Sequence, residues 1–316
     1  MTRRIGWLSA LLFAIAYGLA FRHLLDAGTV ESGEVLTVLL VVGVLFTGVA
    51  AVALRGTRPV AGATPAITGR ELAVVFVLLL WVTAYLAGGV ALLDRALPPA
   101  WVAAPAGHLI ITLVKKLLVF VVVPFVTLRV LFGRGLADFG LDRRALRALA
   151  GRQGLAAVVL MVVCSAFNLM AGQGAAPIRS GALAGIPLVV TLACSLVWLL
   201  LEVGLVEEFF FRAVLQSRIA AATGSEMAGV FLAGLLFGLA HAPGYYLRGA
   251  GLGDAIGQHP SVLDAAAYAV LVPAVASFMF AYLWLRTRNL YVGLLVHAAM
   301  DTLPSAMTMA RALGFT

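Results

Sequence analysis

Residues 186–219 read IPLVVTLACSLVWLLLEVGLVEEFFFRAVLQSRI, and this stretch decides the class of fold. Apolar residues run almost unbroken from Ile186 to Leu201, and the helical pattern continues to about Ile219. An apolar run of about 18 residues or more reads as a membrane-spanning helix. Inside this one stand Glu207, Glu208 and Arg212. Each charge at a bilayer centre costs roughly 2.5–3.5 kcal/mol on insertion scales, so a chain that keeps three of them is expected to use them.

Similar runs recur outward from this stretch. Of 316 residues, 63% are hydrophobic and only 11% charged, against ~25% charged in soluble domains. The chain reads as an all-α, polytopic transmembrane helical bundle of about eight to nine spans. The segments are 5–25, 35–54, 72–93, 108–132, 154–171, 183–205 continuing to 219, 227–242, 266–285 and 290–309. Continuous rather than alternating apolar runs exclude a β-barrel. No internal repeat is evident.

The formal net charge of +8 would suggest nucleic acid in a soluble protein. Here the arginines lie between spans, which is the positive-inside pattern, and no nucleic-acid partner is expected. Arg3 and Arg4, then Arg55, Arg58 and Arg70, then Arg134, Arg143, Arg144, Arg147 and Arg152 alternate with arginine-poor loops. The expected location is a prokaryotic plasma membrane with a cytoplasmic N-terminus. The basic, apolar start imitates a signal peptide but reads as a retained first span. Cys164 and Cys194 lie within spans and read as packing residues.

Lys115 and Lys116 interrupt the fourth segment. Either their side chains snorkel, or the span starts after them and residues 98–114, with Pro98, Pro99, Trp101 and Pro105, lie along the interface. A structural role is expected for both lysines.

Three polar groups fall in three late segments: Glu207, Glu208 and Arg212; His241; and His297 with Asp301. Glu208 and Arg212 are four residues apart and share a helix face, as do Phe237 and His241, and His297 and Asp301. Thr223-Gly224-Ser225 is a turn signal. Glu207 lies seventeen residues before Gly224 and His241 seventeen after it, so a helical hairpin brings them to one depth. His297 is nine residues past Arg288 and Glu207 eleven before Arg218, which at ~1.5 Å per residue is nearly the same depth. Singly, each group has an ordinary explanation, an ion pair or a satisfied core histidine. Jointly they call for one site. Glu202 lies off this face and reads as an interface or packing residue.

A carboxylate and a nearby imidazole can share a water, one taking its proton and the other orienting it. Arg212 can keep a partner carboxylate ionised, and a second imidazole can stabilise an oxyanion. These parts suit hydrolysis of a peptide bond, with no cofactor. The rival use of the same atoms is a zinc site of two histidines and one or two carboxylates, although no His-Glu-x-x-His helix is present.

The motifs Glu207-Glu208-x-x-x-Arg212, Phe237-x-x-x-His241 and His297-x-x-x-Asp301, in this order, resemble the CAAX-protease and bacteriocin-processing (CPBP, or Abi) membrane family, which includes the Rce1-type prenyl-protein endopeptidases. Arg286-Thr287-Arg288-Asn289-Leu290-Tyr291 is similar to the run into its last motif, and Leu136-Ala137-Asp138-Phe139-Gly140-Leu141 to a connector before its core. The likeness divides the chain into helices without matched motifs, 1–182, and a core, 183–316. It implies an intramembrane endopeptidase. Glu207 would be the base, His241 would share its task, Glu208 and Arg212 would support the site, and His297 and Asp301 would stabilise the oxyanion. The last position is often Asn in such proteases. Asn can donate a hydrogen bond and ionised Asp cannot, so Asp301 either orients His297 or is protonated.

The expected partners are the lipid bilayer and a membrane-associated or lipidated peptide substrate; the sequence leaves the oligomeric state open. The alternatives are a non-catalytic scaffold or bacteriocin-immunity protein of the same fold, a zinc-dependent protease, and a proton-coupled transporter, against which the lack of repeats argues. The Gly-rich stretch from Pro243 to Asp254 is either a gate for substrate or a plain connector.

Overall fold

The structure is a computed structural model that describes residues 2–60, 66–248 and 259–315. Among these residues every regular element is helical. Eight helices are long and apolar enough to cross a membrane: α1 (Thr2–Asp26), α2 (Ser32–Ala53), α3 (Gly69–Arg95), α4 (Pro105–Phe132), α5 (Arg152–Ala171), α6 (Gly185–Thr223), α7 (Glu226–Leu247) and α8 (Val262–Thr287). Two shorter helices follow, α9 (Leu290–Thr302) and α10 (Ala306–Ala312). The protein is an integral membrane protein built as a helical bundle.

Local chemistry sets several boundaries. Thr68 caps α3 by accepting a hydrogen bond from the Glu71 amide at 3.1 Å, one of the orphan donors of a helix start. Gly224 closes α6 at φ +63°, and Ser225 accepts from the Ala228 amide at 3.3 Å to open α7. That Thr-Gly-Ser turn makes α6 and α7 an antiparallel hairpin, as its sequence signals.

Three expectations need correction. The segment 290–309 is not one span: α9 ends at Thr302 and the chain turns through Leu303, Pro304 and Ser305 before α10. Pro304 lacks the amide proton to continue the ladder. Thirteen residues reach only about 20 Å, short of a ~30 Å hydrocarbon core. Residues 105–114 do not lie apart from the fourth span either. They form the first half of α4, which runs straight through Lys115 and Lys116. Finally, the Gly-rich stretch starts as helix, because Ala242–Arg248 forms the last part of α7. Its remainder, residues 249–254, lies outside the described residues, and with it the gate.

Burial is uneven. Of its most apolar window, 72% is buried in α8, against 22% in each of α1, α3, α4 and α5. The outer helices show large apolar side chains such as Trp7, Leu11, Leu80 and Val130, which suit lipid. Around α8, α1 and α2 pack from one side, while α5 packs along α9 and α7 along α8. The connector 136–141 is seated on the core: Gly140 accepts from the Leu290 amide at 3.0 Å, and Phe139 meets Phe209 at 4.9 Å between ring centroids. At Gly140, φ is +65° and a Cβ would stand 2.5 Å from the Arg288 carbonyl oxygen, so only glycine fits.

Candidate functional site

The middle of α6 is not a regular α-helix. It widens to i→i+5 bonding over Leu200–Leu205 and again over Phe209–Gln216, leaving Val206–Glu208 between the two. Such widening recurs at functional sites because it re-aims side chains. Here it frames Glu207 and Glu208.

Glu208 is 1% exposed and fully engaged. His297 donates Nδ1–H to its Oε1 at 2.8 Å, and Arg212 donates Nε–H to its Oε2 at 3.2 Å. Arg212 is fully buried, with its guanidinium 4.7 Å from the centre of the Phe237 ring. Its two Nη atoms make no hydrogen bond. Phe280 stacks on the His297 imidazole with centroids 4.3 Å apart and planes at 21°. Hydrogen bond and stack together fix the ring of His297, with Nε2 as its outward edge.

Glu207 is engaged differently. Its Oε2 lies 3.9 Å from His241 Nε2 and 3.8 Å from His297 Nε2. Asp301 Oδ2 is 4.0 Å from the same His297 nitrogen. All three gaps exceed a direct hydrogen bond. His241 sits at the interruption of α7, where Pro243 ends the regular ladder. Its Nδ1 is 2.8 Å from the Phe237 carbonyl oxygen. A carbonyl only accepts, so Nδ1 carries a proton, and Nε2 is the ring edge turned toward Glu207. The six residues picked from the sequence thus meet, from α6, α7 and α9. Among the described residues, no group of three or more His, Cys, Asp or Glu side chains has the spacing to hold a metal ion.

Sequence reasoning missed neighbours of this cluster. Glu202 is not a bare packing residue, because Lys116 donates to its Oε1 at 2.8 Å and Trp198 to its Oε2 at 3.1 Å. Lys115 is paired with Asp94 of α3, so both lysines find partners inside the bundle. Two opposite charges stranded in separate apolar runs, Lys116 and Glu202, were the signal that pairs them.

Residues 189–303 match the family model described as type II CAAX prenyl endopeptidase Rce1-like. Over these residues the chain is similar to the Rce1-like family. The match takes in α7, α8, α9 and all six clustered residues, and it leaves out α1 to α5. That likeness suggests an intramembrane protease of the CAAX endopeptidase kind. The comparisons with curated proteins and with solved structures return no match.

Proposed function

We propose that this Rce1-like chain hydrolyses a peptide bond of a membrane-associated or lipidated substrate with a water held between Glu207 and His241. The observation that carries this is the 3.9 Å gap between Glu207 Oε2 and His241 Nε2. With the ring in its neutral form both atoms are acceptors that cannot bond each other, yet one water can donate a proton to each. As that water attacks the carbonyl carbon, Glu207 takes its proton and later passes it to the leaving amine. His297, held on Nδ1 by Glu208, directs Nε2 toward the same space, and an N–H there would donate to the carbonyl oxygen as it gains charge. Arg212 balances Glu208, so Glu208 is a support and Glu207 the base.

The arginine distribution supports a cytoplasmic N-terminus for this enzyme. We infer a division into an outer set, 1–182, and a core, 183–316, the core being the part that carries the clustered residues.

The test compares the termini of the membrane proteome in cells carrying wild-type protein and Glu207→Ala, followed by cleavage of a captured membrane-anchored peptide by purified protein. Glu207→Ala and His241→Ala are each expected to abolish cleavage. Persistent cleavage in both variants would overturn the mechanism. A chelator arm, in which activity is lost and then restored by zinc, would move the same residues to metal-assisted hydrolysis. If Glu207→Ala fully complements a deletion, the protein acts as a binding scaffold.

A further inference from the structure

Helix α5 lies wholly outside the Rce1-like match, yet it holds both ends of α9, the helix that carries His297 and Asp301. At the start, Asn289 caps α9 by accepting from the Tyr291 amide at 3.1 Å. Its Nδ2 donates to Gln153 Oε1 of α5 at 2.8 Å, and both of these side chains are buried. At the end, Asn168 Nδ2 donates to the Met300 carbonyl at 2.7 Å. Met300 stands directly before Asp301.

The second bond answers a gap in the helix itself. In an α-helix each carbonyl accepts from the amide four residues on, so the donor due at Met300 is residue 304. That residue is Pro304, which has no amide proton. The spacing stays helical on either side of it. Leu303 keeps helical angles, and the Ser305 amide donates to the Asp301 carbonyl at 3.0 Å. A single rung is missing, and a carbonyl inside the bundle needs a donor. Asn168 supplies it from α5. The chain that leaves α5 closes on the same turn, because a Cβ at Gly174 would stand 2.6 Å from Pro304 Cα.

Asp301 is the residue that depends on this rung. His297 is fixed from outside its own helix, by Glu208 and by Phe280. Asp301 Oδ2 is 4.0 Å from His297 Nε2, and among the described residues its carboxylate accepts no hydrogen bond. The backbone of the last turn therefore sets where Asp301 stands against that nitrogen. The Asn168 bond acts on the adjoining carbonyl.

We propose that Asn168 is a positioning residue of the hydrolytic site: by replacing the rung that Pro304 omits, it fixes the last turn of α9 and with it Asp301. The inference rests on the peptidase reading. The experiment is a cycle of four chains: wild type, N168A, P304A and N168A/P304A. P304A restores an amide at residue 304, so the helix can fill the Met300 carbonyl without help from α5. Each chain is read twice, by cleavage of the membrane-anchored peptide and by Tm in detergent micelles. N168A is expected to lower kcat about tenfold with KM changed less than about twofold, because a misplaced group near the reacting atoms slows the chemical step. In the P304A background the same substitution is expected to cost about twofold or less, as for coupled neighbours. An equal loss in both backgrounds, or none in either, overturns the proposal. So does a fall in Tm with kcat unchanged, which would make the bond a support only. Should N168A fail to fold, recovery of active protein in N168A/P304A supports the rung and its failure overturns it. If wild type cleaves nothing, the peptidase reading has failed. The Tm cycle then decides the rung, since recovery of Tm by P304A supports it and additive shifts overturn it.

Discussion

Helix α6 carries two buried charge clusters that use the same side chains to opposite effect. Near its end, Arg218 joins Glu71 of α3 and Arg134, which follows α4. Glu71 Oε1 accepts from Arg134 Nε at 3.1 Å and Arg218 Nε at 3.3 Å, while Oε2 accepts from Arg134 Nη2 at 2.6 Å. Arg218 also donates to the Ala213 carbonyl and lies 5.1 Å from the centre of the Phe139 ring. The hydrogen bond that Arg134 donates to Glu71 raises its guanidinium above the ordinary value, against the lowering effect of burial. This cluster is closed, since both carboxylate oxygens are filled at bonding distance. Ten residues earlier, Glu208 is closed in the same way, but Glu207 beside it faces two imidazoles across gaps of 3.9 and 3.8 Å. Closed clusters hold helices together. A cluster left open at one carboxylate, with its neighbours locked, has room for a reactant.

The widest separation between the two clusters comes from neutralising one carboxylate in each. Glu207→Gln keeps the volume and removes the base. Cleavage is expected to fall about 10²–10⁴-fold, the usual contribution of a positioned base. Stability is expected to stay nearly the same, because no direct hydrogen bond is lost. Glu71→Gln reverses this pattern. It leaves two guanidinium groups beside a neutral partner, and breaking such a buried pair costs about 3–5 kcal/mol. Reversible unfolding in mixed micelles should show that loss, while kcat per folded molecule stays at the wild-type value. If Glu71→Gln lowers kcat of the folded fraction as much as Glu207→Gln does, the division into holding and reacting clusters is wrong.

The comparison also separates what could be read in the sequence from what could not. The candidate cluster was legible because its members announce themselves locally: Glu207, Glu208, His241 and His297 each break a long apolar run, and the turns at Gly224 and Arg288 set their relative depth. The spans were legible for the same reason, as continuous apolar stretches. The closing partners were not. Glu71 lies at the start of α3 among polar loop residues, where a carboxylate is unremarkable, and its link to Arg218 spans 147 residues. The widening of α6 over Leu200–Leu205 leaves no mark in its apolar pattern. The end of α9 was missed because residues 290–309 are apolar enough for one helix, and the single residue Pro304 outweighs that composition. Apolar pattern reports burial; it does not report a change in helical pitch.

The finest distinction concerns how the open cluster is held still. His297 is fixed from one side by Glu208 at 2.8 Å and across its face by Phe280 at 4.3 Å between centroids. Phe280 is 1% exposed and belongs to α8, the most buried of the long helices. Stacked aromatic pairs contribute about 0.5–1.5 kcal/mol beyond area burial, so Phe280→Leu should lower kcat by about two- to tenfold. KM should change less, because the ring touches the imidazole and not the substrate space. Phe280→Leu also leaves a partial cavity, and its cost in stability is expected to be about 1–3 kcal/mol. Phe280→Tyr, which keeps the stacked face, is expected to retain most of kcat if its hydroxyl is accommodated. Were the Leu variant to lose stability with kcat unchanged, Phe280 would be mere filling, and the Glu208 hydrogen bond alone would hold His297.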